Sequence, residues 1–108
     1  MIKQVIVIIS GQFAKCIGSY DIESNKLTVK KGSVIRPSCS PNFKYYTKRL
    51  EQINSFCIEK DGNLIVKKDV TFDTPTAAAK FCIGYEVNGT LYWHLEDGRQ
   101  LKSLLAKK

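Results

Sequence analysis

The sequence is short of the residues on which metal and redox chemistry depend. It has one histidine, His94, and four cysteines, Cys16, Cys39, Cys57 and Cys82, with no Cys-x-x-Cys pair. A zinc site would need ligands gathered from scattered positions, so no metal is expected and no cofactor is implied. The cysteines read as reduced thiols of a cytoplasmic protein, although their even number leaves a disulfide formally open. No apolar run reaches the ~18 residues that cross a bilayer, so no membrane is expected as a partner. The opening "MIKQVIVIISG" lacks the small-residue cleavage site that follows a secretory signal. Acidic residues are scarce too: ten Asp and Glu stand against seventeen Lys and Arg, a formal charge of +7. A field of that sign attracts polyanions, yet many basic proteins bind none.

What is present fits one globular domain. The chain has 108 residues, 44% of them hydrophobic, enough for a single core without staples. "KQVIVII" (3–9) is short and β-branched and predicts a strand, buried on both faces or covered at its edge by a partner. "AKCIGSY" (14–20) is a weaker strand, "DIESNK" (21–26) a turn, and "LTVKK" (27–31) alternates with Leu27 and Val29 inward. Together they predict a three-stranded meander. "GSVIRPSCSPN" (32–42) is a loop. In "FKYYTKRLEQINSFC" (43–57), Tyr46, Leu50, Ile53 and Cys57 recur at helical spacing, with Lys48, Arg49, Glu51 and Gln52 largely on the other side. Asp61-Gly62 marks a hairpin, and a strand leads on through "KKDVTF".

The stretch "DTPTAAAKFCIGYEVNGTLYW" (73–93) predicts a helix capped by Asp73 or Thr74, with Pro75 in its first turn and Gly84 ending it in the left-handed conformation. Its three alanines permit close backbone approach. Asn88-Gly89 predicts a tight turn into a strand "TLYWHL" (90–95), with Leu91, Trp93 and Leu95 on one face. "RQLKSLLAKK" closes the chain as a short basic helix. The expected fold is α+β: a single domain with an antiparallel sheet of about five to six strands and two to three helices.

Several residues carry two readings. Thr74, Pro75 and Thr76 serve as a helix cap, or additionally receive a phosphate at the positive end of the helix, with Lys80 one turn along. Asn88 makes a turn, or reads a base edge with its amide. Trp93 is core, or stacks on an extruded base, with Tyr92 as an alternative platform. Lys30, Lys31, Ser33 and Arg36 form a solvated basic loop, or contact phosphates; Arg99 has a weaker claim. The common catalytic motifs are missing, so no enzyme activity is expected.

"LTVKKGS", a helix containing "RLEQ", "VTFDTPTAAAKFCIGYEVNGTLYW" and "EDGRQLKSLL" together resemble a bacterial domain family of unknown function, DUF4357. The matching residues are Lys31-Gly32-Ser33, Phe72, Pro75, Ala78, Ala79, Gly84, Asn88, Gly89, Trp93, Asp97, Gly98 and Leu101, over about residues 13–105. Thr74 and Thr76 stand where that family usually has serines. The same core is similar to that of the restriction-system adenine-methylation-associated domain, a family linked with restriction–modification and with recognition of modified DNA. Such domains often follow nuclease or methyltransferase modules, for which this length leaves no room. The resemblance therefore implies a DNA-binding module, with a nuclease or methyltransferase as a separate partner chain. The rival expectation is a protein-interaction module that uses the "VIVII" strand or the Trp93 face to join a partner or a second copy.

Overall fold

β-Branched residues begin the sheet, as their stiff side chains favour. In a computed structural model that describes residues 4–11, 14–37, 46–84 and 87–105, the elements are β1 (Gln4–Ser10), β2 (Lys15–Asp21), β3 (Leu27–Val29), β4 (Val34–Ile35), α1 (Tyr46–Phe56), β5 (Cys57–Lys60), β6 (Asn63–Val66), β7 (Val70–Phe72), α2 (Pro75–Ile83), α3 (Gly89–Tyr92), β8 (His94–Leu95) and α4 (Leu101–Leu105). Cys39, Pro41, Glu86, Lys107 and the start of the helix expected from residue 43 lie outside the described residues. The eight strands form one antiparallel sheet in the order β5-β6-β4-β2-β1-β8. One edge of β2 is shared: β4 pairs at Lys15, β3 pairs from Gly18 to Tyr20, and β7 lies outside β3. The fold is α+β, and among the described residues no helix is long and apolar enough to cross a membrane.

The expected meander is present as β1, β2 and β3, with Leu27 and Val29 fully buried. The β5–β6 hairpin turns on Asp61 and Gly62, both at positive φ. Helix α2 begins where the sequence places it. Thr74 Oγ1 accepts the Ala77 amide at 3.1 Å, Pro75 opens the first turn, and Gly84 closes the helix at φ 87°. Ala78 and Ala79 are wholly buried, and the helix packs on β3, β4 and β7. Phe81 meets the Phe72 ring at 5.2 Å and the Phe56 ring at 6.3 Å, between helix and sheet.

Two expectations are corrected. Residues 89–92 form a short helix rather than the start of a strand, and only His94 and Leu95 pair with β1. Asn88-Gly89 is accordingly not a tight turn into a strand: Asn88 caps α3, accepting the Thr90 amide at 3.0 Å, and Gly89 stays out of the left-handed region. Gly89 is needed for proximity instead. It lies against the carbonyl of Pro75 and the amide of Thr76, and its own amide donates to Thr76 Oγ1 at 3.0 Å. Trp93, completely buried, donates its indole N–H to the Pro75 carbonyl at 3.0 Å. Helix α3 thus clasps the first turn of α2.

Helix α1 is the second correction. Its buried residue is Arg49, 1% exposed, while Leu50 is 44% exposed and Tyr46 is also exposed. The guanidinium satisfies carbonyls that nothing apolar could: Nε donates to Phe81 O at 2.8 Å and Nη2 to Arg36 O at 2.7 Å. The Phe81 carbonyl belongs to the C-terminal turn of α2, where the helix dipole favours a cation.

A methyl group at residue 89 would be driven into the Pro75 backbone. Gly89→Ala is expected to cost about 3 kcal/mol in urea unfolding, at the upper end of overpacking effects. Gly98→Ala, at φ 92° with open space around it, is expected to cost only about 1 kcal/mol.

Candidate functional site

The clasp consumes much of what a phosphate would use at the start of α2. The Ala77 amide goes to the Thr74 hydroxyl and the Ala78 amide to the Thr74 carbonyl at 3.2 Å. Gly89 covers the Thr76 amide. What remains are hydroxyl protons. The oxygens of Thr74 and Thr76 already accept N–H groups, so each O–H can donate elsewhere.

Those hydroxyls face a cleft of about 260 Å³ between α1 and α2, lined by Lys48, Arg49, Gln52, Thr74, Thr76, Ala77, Lys80 and Phe81. Arg49 forms its floor and Lys48 and Lys80 bring cations from the two helices. Thr74, Thr76 and Lys80 were expected together and are together. Lys48, Gln52 and Arg49 were not expected there. Their signal is the run "TKRLEQ", which places Lys48 and Gln52 four residues apart on one helical face.

The other expected residues fall elsewhere. Lys30 and Lys31 follow Val29, which pairs with Val70 at the start of β7, whereas Thr74 lies beyond Phe72 at its end. Lys30 Nζ is 3.6 Å from Asp69, and the Lys31 amide donates to Asp69 Oδ1 at 2.8 Å. These contacts, the amide first, lower the Asp69 carboxyl pKa below its usual value. The basic turn and the start of α2 are therefore not one site. Ser33 is buried and exchanges hydrogen bonds with the Ile17 backbone, at 3.1 and 3.3 Å. Arg99 turns back on Asp97 at 2.8 Å, and the Arg99 amide chiefly holds the Asp97 carboxyl low.

Arg36 and Tyr92 line a second, larger cavity of about 470 Å³ on the β1 side, together with Ile9, Ile83, His94 and Gln100. His94 Nδ1 lies 2.9 Å from the Tyr92 carbonyl, and Gln100 Nε2 donates to the Leu91 carbonyl at 3.2 Å. Trp93 offers no face for base stacking, because the core covers it entirely. Asn88 is exposed, but its carbonyl oxygen is taken by the amide and hydroxyl of Thr90 at 3.0 and 2.7 Å. Only its NH₂ could reach a base edge.

The thiols of Cys16, Cys57 and Cys82 are free and buried. Burial pushes the Cys57 thiol up to about 11, and burial, with a hydrogen bond to Cys16, raises Cys82 well above its ordinary value. Both are protonated at neutral pH and serve as small apolar groups. Among the described residues no cluster of His, Cys, Asp and Glu is arranged to hold a metal ion.

The sequence pattern of one family, described as a domain of unknown function (DUF4357), matches residues 9–105. No curated protein and no solved structure matches the chain.

A raised thiol pKa makes stability fall in alkali. The unfolded chain releases the Cys57 proton near pH 9, while the folded chain holds it to about 11. Stability present below pH 9 is therefore lost as pH rises towards 11. Urea unfolding at about pH 8.5 and 10.5 should show this loss, and Cys57→Ala should shrink it.

Proposed function

The chain belongs to the DUF4357 family, and from that premise we propose that it is a non-catalytic nucleic-acid-binding module for double-stranded or modified DNA. The observation that carries this reading is the α1–α2 cleft. Lys48 and Lys80 flank two hydroxyls with protons to donate, above the guanidinium floor and at the positive end of α2. Cations and hydroxyl donors set side by side suit the oxygens of a phosphodiester. The net charge of +7 adds a long-range attraction that does not depend on base sequence. Phosphate contact is thereby moved from Lys30, Lys31 and Arg36, where the sequence suggested it, to Lys48, Thr74, Thr76 and Lys80.

Base reading belongs to Asn88 and to the second cavity, where Tyr92 supplies a ring wall and Gln100 an amide. The resemblance to domains of restriction–modification systems supports a defence role, with a separate nuclease or methyltransferase chain acting on the DNA that this one holds. A cytoplasmic setting accords with the free thiols of Cys16, Cys57 and Cys82.

Anisotropy of a labelled duplex tests this reading. Affinity should fall by at least about ten-fold between roughly 50 and 300 mM salt. Lys48→Glu and Lys80→Glu should each weaken binding and flatten the salt slope by about one unit. Lys31→Glu should do less, because its turn lies apart from the cleft. No binding at low salt, or an affinity indifferent to salt, would overturn the proposal; where salt-sensitive binding is seen, a methylated and an unmethylated duplex compared side by side show whether a modification is read.

A further inference from the structure

Among the described residues the helices pack on one face of the sheet, and the side chains of the other face follow from the register. Val7, Ile9, Cys16, Tyr20, Leu27, Val29, Ile35 and Val66 point into the core. Their alternates point outwards. Ile58 pairs with Ile65, Ile65 with Val34, and Ile17 with Ile8, one step further along the strands. Ile6 extends the line. Val34 itself pairs with Lys15, and Ile17 stands two residues further along β2, so the apolar side chains run as a stepped diagonal across β5, β6, β4, β2 and β1. Ile58 is 49%, Ile17 51% and Ile6 41% exposed.

Strand propensity alone does not require isoleucine there. The same face carries Thr28 opposite Thr71 and Ser19, with the threonine hydroxyls 2.8 Å apart. Threonine satisfies the backbone preference without exposing apolar surface. An antiparallel sheet with a solvated face ordinarily alternates apolar inside and polar outside, and along this diagonal the rule is broken.

We propose that this face is a docking surface for an acidic amphipathic helix of a partner protein. Charge selects that occupant. Lys15, exposed on β2, borders the diagonal on one side; Lys30 and Lys67 border it on the other, and Lys60 lies beyond Ile58. Asp69 is paired with Lys30, and Glu96 lies past Ile6 at the β8 end. An apolar stripe with lysines along both flanks matches a helix with an apolar face flanked by carboxylates. A second copy of this chain would bring another +7 to the contact. The dimensions agree as well. From Ile58 to Ile6 the diagonal crosses four strand spacings of ~4.8 Å and four residues of ~3.4 Å, or roughly 23 Å. That is the length of about 15 helical residues.

The test uses the whole chain and two fluorescein-labelled synthetic peptides of about 18 residues. Both place leucine at helical i, i+3, i+4, i+7 spacing; one flanks it with glutamate and the other with lysine. The glutamate peptide should bind at least about ten-fold more tightly by anisotropy. Ile17→Gln and Ile58→Gln should each weaken it by about ten-fold without lowering the melting temperature, since both side chains are already exposed. Lys15→Glu combined with Lys67→Glu should shift preference to the lysine peptide. Leu50→Gln, exposed on the helical side, should change nothing. Equal binding of both peptides, or no saturation by about 1 mM, would overturn the proposal. So would a dimer in sedimentation, or binding to phosphatidylserine vesicles, that Ile17→Gln abolishes, since the occupant would then be a second copy or a lipid surface. Duplex DNA binding unchanged in Ile17→Gln would keep this result separate from the cleft reading.

Discussion

The Pro75 carbonyl ties α3 and Trp93 to the first turn of α2. It accepts the Trp93 indole N–H, and the bare Cα of Gly89 lies against it. Any side chain at Gly89 would hold α3 off α2 and pull the indole from its acceptor. A buried indole N–H without a partner is costly, so the two contacts stand or fall together. From Trp93 the connection runs on: its carbonyl accepts the Leu101 amide at 2.8 Å, and its successors His94 and Leu95 pair with β1. Thr74, Pro75, Thr76, Asn88, Gly89 and Trp93 are thus parts of one clasp. In this chain the Thr-Pro-Thr, Asn-Gly and Trp residues are first a device for docking one helix turn on another.

Arg49 performs the corresponding task for α1. Burying a guanidinium is expensive unless its donors are met. Here Nε and Nη2 meet carbonyls of Phe81 and Arg36, from the end of α2 and the exit of β4. Three chain segments are tied through one planar group, whose fixed fork suits that purpose better than a lysine would. The neighbouring Cys57 and Cys82 thiols stay neutral because burial outweighs the attraction of that charge. The cleft floor is consequently cationic and rigidly placed, while Lys48 and Lys80 at its rim are carried on flexible stems.

Local chemistry made much of this fold legible. Thr74-Pro75 and Gly84 mark both ends of α2, Asp61-Gly62 marks the hairpin, and the alternation of Leu27 and Val29 marks a buried strand face. Each signal acts within a few residues, where backbone preference dominates. Failures came where a distant partner decides. Asn-Gly is an ordinary hairpin dipeptide, and only the Pro75 backbone reveals that Gly89 serves close approach. Arg49 reads as solvent-facing until the carbonyls of Phe81 and Arg36 are in place, after which Leu50 becomes the exposed one. Lys31 and Thr74 are linked by the run through β7, and the length of a strand separates them. The outer isoleucines were visible as β-formers, but only the register shows that they share one face over four strands, with Val34 between them on β4.

The two proposed surfaces lie on opposite layers, the cleft among the helices and the apolar diagonal on the face of the sheet away from them. Sheet and helix layers pack roughly 10 Å apart, about one Debye length at physiological salt. Occupancy of one face leaves the other sterically open, yet the charges are not fully independent. Carboxylates placed beside Lys15, Lys30 and Lys67 would cancel part of the +7 that attracts a polyanion to Lys48 and Lys80. Coupling of that origin is necessarily reciprocal: by whatever factor a docked acidic helix lowers DNA affinity, bound DNA lowers the helix's affinity by the same factor. It is also weak, because the intervening salt screens it, and it fades as ionic strength rises. If both proposed surfaces are used, a nucleic acid and a partner chain would be held at once, with electrostatics setting a mild preference between them rather than a switch.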